Sequence, residues 1–310
     1  MNRRTFLEAS ALATIAPTAM AASDADWFDA ARRFRTAKYG KIAYIDRGKG
    51  DVVLFLHGFP LNSYQWRGAI ERLSSERRCI AADMLAHGQT EAAAGQDVSV
   101  AGQASMIADL LDNLGIKTVD IIASDSGGAV AQIFMARHPE RVRSALLTNC
   151  DTEPDSPPPA VLPVIELAKK GKYAEKWLLS WAKDKDLARS AKGLGGLTFT
   201  RPAELSDRTL STYLDPLVAT PERRALIDAY AIALAPNPMA GLEAQLRLSP
   251  IPVRIIWGMA DNIFGTASAD YLDKLFPRSQ GVRRIPEAKL FWPEEYPALI
   301  AEEARKLWRA

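Results

Sequence analysis

The feature that most constrains how this chain can fold is a repeated alternation of short apolar runs with helical patterns. Val52-Val53-Leu54-Phe55-Leu56 is apolar at every position, as suits a strand covered on both faces of a sheet. Further strand-like runs lie at Lys41–Asp46, Arg78–Ala82, Val119–Ala123, Ala145–Asn149, Val253–Trp257 and Val282–Ile285. Between them stand helical patterns at Tyr64–Ser75, Val100–Leu114, Ser126–His138, Ala267–Phe276 and Pro297–Trp308. Strand–helix alternation predicts a mostly parallel sheet flanked by helices. At 310 residues and 48% apolar, the chain can fill the core of such a sheet.

The rhythm breaks once. From about Thr152 to Ser249 no strand is predicted. The stretch opens with the proline-rich Pro154–Pro163 and continues through helix-like runs at Val164–Lys169, Tyr173–Trp181, Ser206–Leu217 and Pro221–Leu234. It closes at Ser249-Pro250-Ile251-Pro252, where prolines hand the chain back to a strand. A helical insert of this kind predicts a lid over the carboxyl edge of the sheet, where open α/β sheets bind ligands. The expected organisation is a leader over 1–21, a core over 22–151 and 250–310, and a helical cap over 152–249.

The leader expectation rests on Asn2-Arg3-Arg4-Thr5-Phe6-Leu7, which resembles a twin-arginine export motif. An alanine-rich stretch follows, and Ala19-Met20-Ala21 fits a small-x-small cleavage site. Export would place the protein in the periplasm or outside the cell; without a working signal it would stay in the cytoplasm. Other classes of partner are disfavoured. The formal charge is only +2 with no dense Lys/Arg run, which speaks against nucleic acid. No apolar run reaches the roughly 18–20 residues of a membrane span. Neither cofactor nor metal is expected, and oligomeric state is not readable. Cys79 and Cys150 are no disulfide framework and read as core residues, Cys150 with a reactive thiol as the alternative.

Chemistry concentrates at Ala123-Ser124-Asp125-Ser126-Gly127-Gly128, where an apolar run meets a helical one. A nucleophile elbow needs small residues on both sides of a sharp strand-to-helix turn that lifts its central side chain clear of the sheet. Asp125 at the centre puts Ala123 and Gly127 on its flanks. Ser126 at the centre would put Ser124 and Gly128 there, a looser match. A plain helix N-cap at Asp125 is the non-catalytic alternative.

These residues resemble the α/β-hydrolase superfamily, in particular its haloalkane dehalogenase and epoxide hydrolase branch. His57-Gly58-Phe59-Pro60 is similar to that family's oxyanion loop. Asp83–Thr90 is similar to a second loop, with Ala86 where glycine is usual. Arg137–Val142 looks like the end of the nucleophile helix, and Trp257–Asp261 like the strand end that carries the triad acid. The resemblance implies an α/β-hydrolase fold whose cap follows the strand ending at Asn149, the sixth of the family's sheet. It implies Asp125 as nucleophile attacking a carbon electrophile, and backbone N–H groups of Phe59 and Ser126 as the oxyanion hole. Asp261 would be the triad acid, with Asp151 a second candidate.

The family's catalytic histidine follows the last strand. Here the frame set by Phe291, Glu295 and Pro297 brings Leu290 to that position. His57, His87 and His138 fall where structural histidines are expected; His57 is the histidine nearest the site, and a carboxylate or an inward-turned Lys289 is the other replacement for the base. Leucine cannot deprotonate the water that splits an alkyl ester, a task worth about 10²–10⁴-fold in rate. Three outcomes fit: a slow or atypical hydrolase of small apolar electrophiles, a non-hydrolytic acid/base enzyme using Asp125 and Asp261, or a ligand-binding pseudoenzyme. The family's tryptophan after the nucleophile is replaced by Ser126. Trp177 and Trp181 share a helix face in the lid and, with Tyr213, are candidates to contact substrate.

Overall fold

The computed structural model describes residues 24–309, and the export motif and its cleavage site lie outside them. The described residues contain nine strands: β1 (Arg32–Ala37), β2 (Gly40–Arg47), β3 (Val52–Leu56), β4 (Arg78–Ala82), β5 (Glu91–Ala92), β6 (Val119–Asp125), β7 (Val142–Cys150), β8 (Val253–Gly258) and β9 (Ser279–Ile285). They form one sheet in the order β1-β2-β4-β3-β6-β7-β8-β9, with β5 beside β2. From β4 through β9 every pairing along this path is parallel, and only β1, β2 and β5 run antiparallel. The strand order turns at β3 and β6, which lie side by side although they are far apart in sequence. Loops leaving neighbouring strands there diverge and open a crevice.

The buried strands match the apolar runs, because central parallel strands have no solvent face to mark. β1 was not expected. Its sequence Arg-Arg-Phe-Arg-Thr-Ala is mostly exposed at the sheet edge, so no burial pattern could announce it. Charged side chains also guard that edge against pairing with other chains.

Between β7 and β8 the regular elements are helical, with one isolated bridge between Thr152 and Asp155. This helical layer is fastened to the core by polar contacts that sequence patterning does not reveal. Arg223 donates to the carbonyls of Thr90 (2.7 Å), Gly88 (2.8 Å) and Pro216 (2.9 Å). Arg67 pairs with Glu294 at 2.8 Å, and the hydroxyl of Tyr213 donates to the same carboxylate. Glu295 accepts from the N–H groups of Thr200 (3.0 Å) and Arg201 (2.7 Å). Glu294 and Glu295 therefore turn inward to hold the lid, where the sequence suggested residues that merely suit the start of the last helix.

The junction of β6 with the helix Ser126–Arg137 is tight. A methyl group on Gly127 would fall 2.5 Å from the carbonyl oxygens of both Leu56 and His57, and one on Gly128 would fall 2.3 Å from Cβ of Cys150. Neither backbone oxygens nor a buried cysteine can move aside cheaply. Gly127→Ala is expected to lose about 1–3 kcal/mol of stability, read as a lower urea midpoint at unchanged m-value. An unaltered midpoint would show that the junction is looser than described.

Candidate active site

Asp125 ends β6 in a left-handed conformation, φ +56° and ψ −135°, which a non-glycine residue adopts only when its surroundings hold it there. Those surroundings are the close packing at Gly127 and Gly128, and Gly58, where a methyl would lie 2.7 Å from Cβ of Asp125. The turn lifts the carboxyl group off the sheet. The backbone N–H groups of Ser126 and Phe59 donate to it, so the pair expected to line an oxyanion hole converges on the Asp125 side chain.

Asp125 opens into a cavity of about 270 Å³ beneath the lid. The walls are mainly apolar, with Val164, Trp177, Trp181, Leu194, Phe264 and Leu290 among them. Trp177 and Trp181 thus reach the place suggested for them, their rings 5.8 Å apart. Tyr213 does not, and that expectation is corrected: it is fully buried against Arg67 and Glu294, where its hydroxyl is already spent. Lid tyrosines do reach the site elsewhere. Tyr173 lines the cavity, and Tyr230 directs its hydroxyl toward Ser126. The hydroxyls of Tyr230 and Ser126 are buried without a well-formed hydrogen bond.

Among the described residues, Lys, Arg and His are absent from the cavity lining, and its titratable groups are Asp125, Asp151 and Tyr173. Burial, with the charge of Asp151 next, raises the Asp125 carboxyl well above the ordinary carboxylate range, and the two backbone donors oppose that rise. Burial also pushes Asp151 up to about 6. The Ser156 hydroxyl donates to Asp151 Oδ1 at 2.8 Å, and Gln132 donates to its backbone carbonyl at 2.8 Å.

Asp261 sits apart from the cavity lining. It accepts from Asn149 Nδ2 and from the Ile263 N–H, each at 2.8 Å. Asn149 Oδ1 in turn accepts from the Gly258 N–H (2.7 Å) and the Trp292 indole (3.0 Å). Asn149 engages Asp261, whose charge still bears on Asp125, and the acid that lines the cavity with Asp125 is Asp151. Leu290 is 2% exposed and adds an apolar wall. Lys289 is drawn off to the carbonyl of Gly196 at 2.6 Å.

The histidines are committed elsewhere. His57 uses Nδ1 toward the carbonyl of Gly58 (3.0 Å), and its Nε2 accepts from the Met84 N–H at 3.0 Å. Both ring nitrogens are occupied in bracing the two loops, and burial lowers its pKa. This corrects the suggestion that His57 could stand in as base. His87, also lowered by burial, uses Nδ1 toward the carbonyl of Leu85, while its Nε2 is buried without a hydrogen bond and lies outside the cavity lining. His138 caps the helix end behind the site. Cys150 is buried under Gly128 with its thiol raised by burial, so it is packing and not a thiolate.

The family described as alpha/beta hydrolase fold matches residues 51–289. The chain belongs to that family. This α/β-hydrolase is 26% identical over 291 residues to haloalkane dehalogenase 2 of Mycobacterium bovis, covering 89% of this chain and 91% of that protein. Among solved structures it is similar to a putative ancestral haloalkane dehalogenase (23% identity, TM-score 0.72, 90% and 100% of the two chains). It is also similar to an esterase from Thermogutta terrifontis (24%, TM-score 0.70, 90% and 98%). An esterase and a dehalogenase on one scaffold show that the fold leaves the substrate open. No helix among the described residues is long and apolar enough to cross a membrane.

The two buried acids make stability depend on pH. Asp151 titrates near 6 in the folded α/β-hydrolase and near 3.9 when unfolded. Between those values the native state keeps a proton that the unfolded state has lost. Its favourable contribution is complete below about pH 4 and is lost as pH rises through about 6, a difference of about 3 kcal/mol. Asp151→Asn is therefore expected to be more stable than the parent at about pH 8, by roughly 1–3 kcal/mol, with the advantage gone near pH 4. Urea titrations at both pH values check this, and a pH-independent difference would contradict it.

Proposed function

We propose that this protein is a hydrolase of small apolar electrophiles in which Asp125 is the nucleophile. The observation that carries the proposal is the Asp125 carboxyl, held at a strained strand-to-helix turn with its own backbone donors, inside an apolar cavity. One carboxyl oxygen would attack carbon while the leaving group departs, forming an ester whose carbonyl oxygen keeps the N–H groups of Phe59 and Ser126. The step uses the ionised form of Asp125, which burial and Asp151 disfavour and the two backbone N–H donors favour, and once ionised the carboxylate needs no general base. The apolar walls favour a substrate without charge, because an ion would shed its hydration with no cation or amide cluster to receive it. The similarity to a haloalkane dehalogenase supports the same class of chemistry.

Among such electrophiles, a specific observation favours those whose leaving atom is oxygen, such as epoxides. A halide departs unaided by protons, whereas an alkoxide needs one. The Ser126 hydroxyl and the Tyr173 phenol in the cavity wall, with Tyr230 directed toward Ser126 from behind it, are donors of that kind.

The family's histidine position falls at Leu290, so breakdown of the ester must proceed without an imidazole from that segment. Rapid-quench intact-mass measurements with 1,2-epoxyhexane and 1-bromohexane are expected to give an adduct that maps to Asp125 and is absent from Asp125→Asn. Absence of both adduct and product across a broad panel would remove the proposal in favour of a ligand-binding role. Leu290→His, which returns an imidazole to the cavity wall, is expected to speed adduct decay by about tenfold or more. A well-folded variant with unchanged decay would mean that position 290 does not face the ester.

A further inference from the structure

Resting on that reading of Asp125, the geometry points to Asp151 as the general base that hydrolyses the alkyl-enzyme ester, the step for which this cavity offers no histidine. In the β6–β7 pairing, Asp125 lies opposite Cys150, and Asp151 is the next residue along the chain. Adjacent strands run about 4.8 Å apart, so the two carboxyl groups emerge from the same sheet edge as neighbours. Both line the one cavity. Of all charged groups, Asp151 acts most strongly on Asp125.

The alternatives are eliminated one by one, beginning with His87, whose unbonded Nε2 lies outside the cavity lining. Both ring nitrogens of His57 are engaged by backbone groups. Asp261 is bound by Asn149 and is not among the cavity-lining residues. Lys289 is held by Gly196, and the remaining titratable cavity group, Tyr173, has a phenol raised by burial and cannot be a base near neutrality. Asp151 is also positioned. Gln132, on the same helix that begins at the nucleophile, ties down the Asp151 backbone, and Ser156 orients its carboxyl.

Burial brings the Asp151 carboxyl to about 6, close to the ordinary histidine value near 6.5, so the group is ionised at neutral pH yet still basic enough to take a proton. In the step itself, Asp151 removes one proton from water as the hydroxyl oxygen bonds to the acyl carbon of the Asp125 ester. The negative oxygen of the tetrahedral species stays on the N–H groups of Phe59 and Ser126. Collapse breaks the bond between the acyl carbon and the alkyl oxygen, and the departing alkoxide takes the proton back from Asp151. The products are the alcohol and the free Asp125 carboxyl, and Asp151 is again ionised.

The test is rapid-quench mass spectrometry of the full chain and of Asp151→Asn with 1,2-epoxyhexane, with single turnovers run in ¹⁸O-water. The expected result is that Asp151→Asn still alkylates Asp125 but loses the adduct at least about 100-fold more slowly than the parent. Added formate is expected to restore part of the decay, and Asp151→Glu is expected to retain part of it. A merely structural role would show neither response. Equal adduct decay in parent and Asp151→Asn would overturn the assignment while leaving the nucleophile intact. Product that takes its new oxygen directly from labelled water in the first turnover would instead overturn the Asp125 nucleophile, and the role of Asp151 with it. Should Asp151→Asn fold poorly, Ser156→Ala removes only the orienting hydrogen bond. Slower decay of the Asp125 adduct in that variant is then the expected result, and unchanged decay the contrary one.

Discussion

The close approach of the helix Ser126–Arg137 to the ends of β3 and β7 is the constraint on which the rest of the site depends. Two consecutive glycines let that helix start almost against the carbonyls of Leu56 and His57 and the side chain of Cys150. That contact forces Asp125 into its left-handed turn, and the turn places the carboxyl group beside the backbone donors of Ser126 and Phe59. The oxyanion loop is fixed from behind by His57, which bridges Gly58 to Met84, and by Gln65, whose Oε1 accepts from the Gly58 N–H at 3.0 Å. A conformation costing about 1–3 kcal/mol survives because packing on three sides leaves the chain no alternative.

Around this turn the molecule builds an environment that is poor in countercharge. Other parts of the structure neutralise buried charge: Asp83 meets Arg32 at 2.9 Å, and Glu294 meets Arg67 at 2.8 Å. In the cavity two carboxyl groups face apolar walls with no cation between them. Desolvation raises both acids, and at Asp125 the charge of Asp151 adds to the rise. A protein selected for stability alone gains nothing from this arrangement, since apolar residues of similar size would cost less. Buried acids that stability does not explain cluster at functional sites, which fits the role proposed for this cavity.

Much of the architecture was legible in sequence because it rests on local rules. Apolar strands of four or five residues, the Ala-Ser-Asp-Ser-Gly-Gly turn and the long strandless stretch each carry their own signal. β3 and β4 were legible to the residue, since a strand covered on both faces is apolar throughout, as in β3, or apolar after its first residue, as in β4. β1 was not, since an exposed edge strand resembles any charged surface segment. The lid contacts of Arg223, Glu294 and Glu295 were hidden for a different reason: a charged residue facing solvent and one buried against backbone carbonyls are the same letter.

The same distinction runs through the site. The sequence by itself determined which residue stands at the elbow, which small residues flank it, and that leucine occupies position 290, because turn geometry and residue identity are local properties. Which acid shares the cavity with Asp125 was decided only by tertiary structure. Asp151 and Asp261 both follow strands at the same sheet edge, and nothing in their neighbourhoods ranks them. Asn149 decides the matter by binding Asp261 from 112 positions away, which leaves Asp151 on the cavity wall. Long-range hydrogen bonding chooses among chemically equivalent groups, and no local pattern encodes that choice.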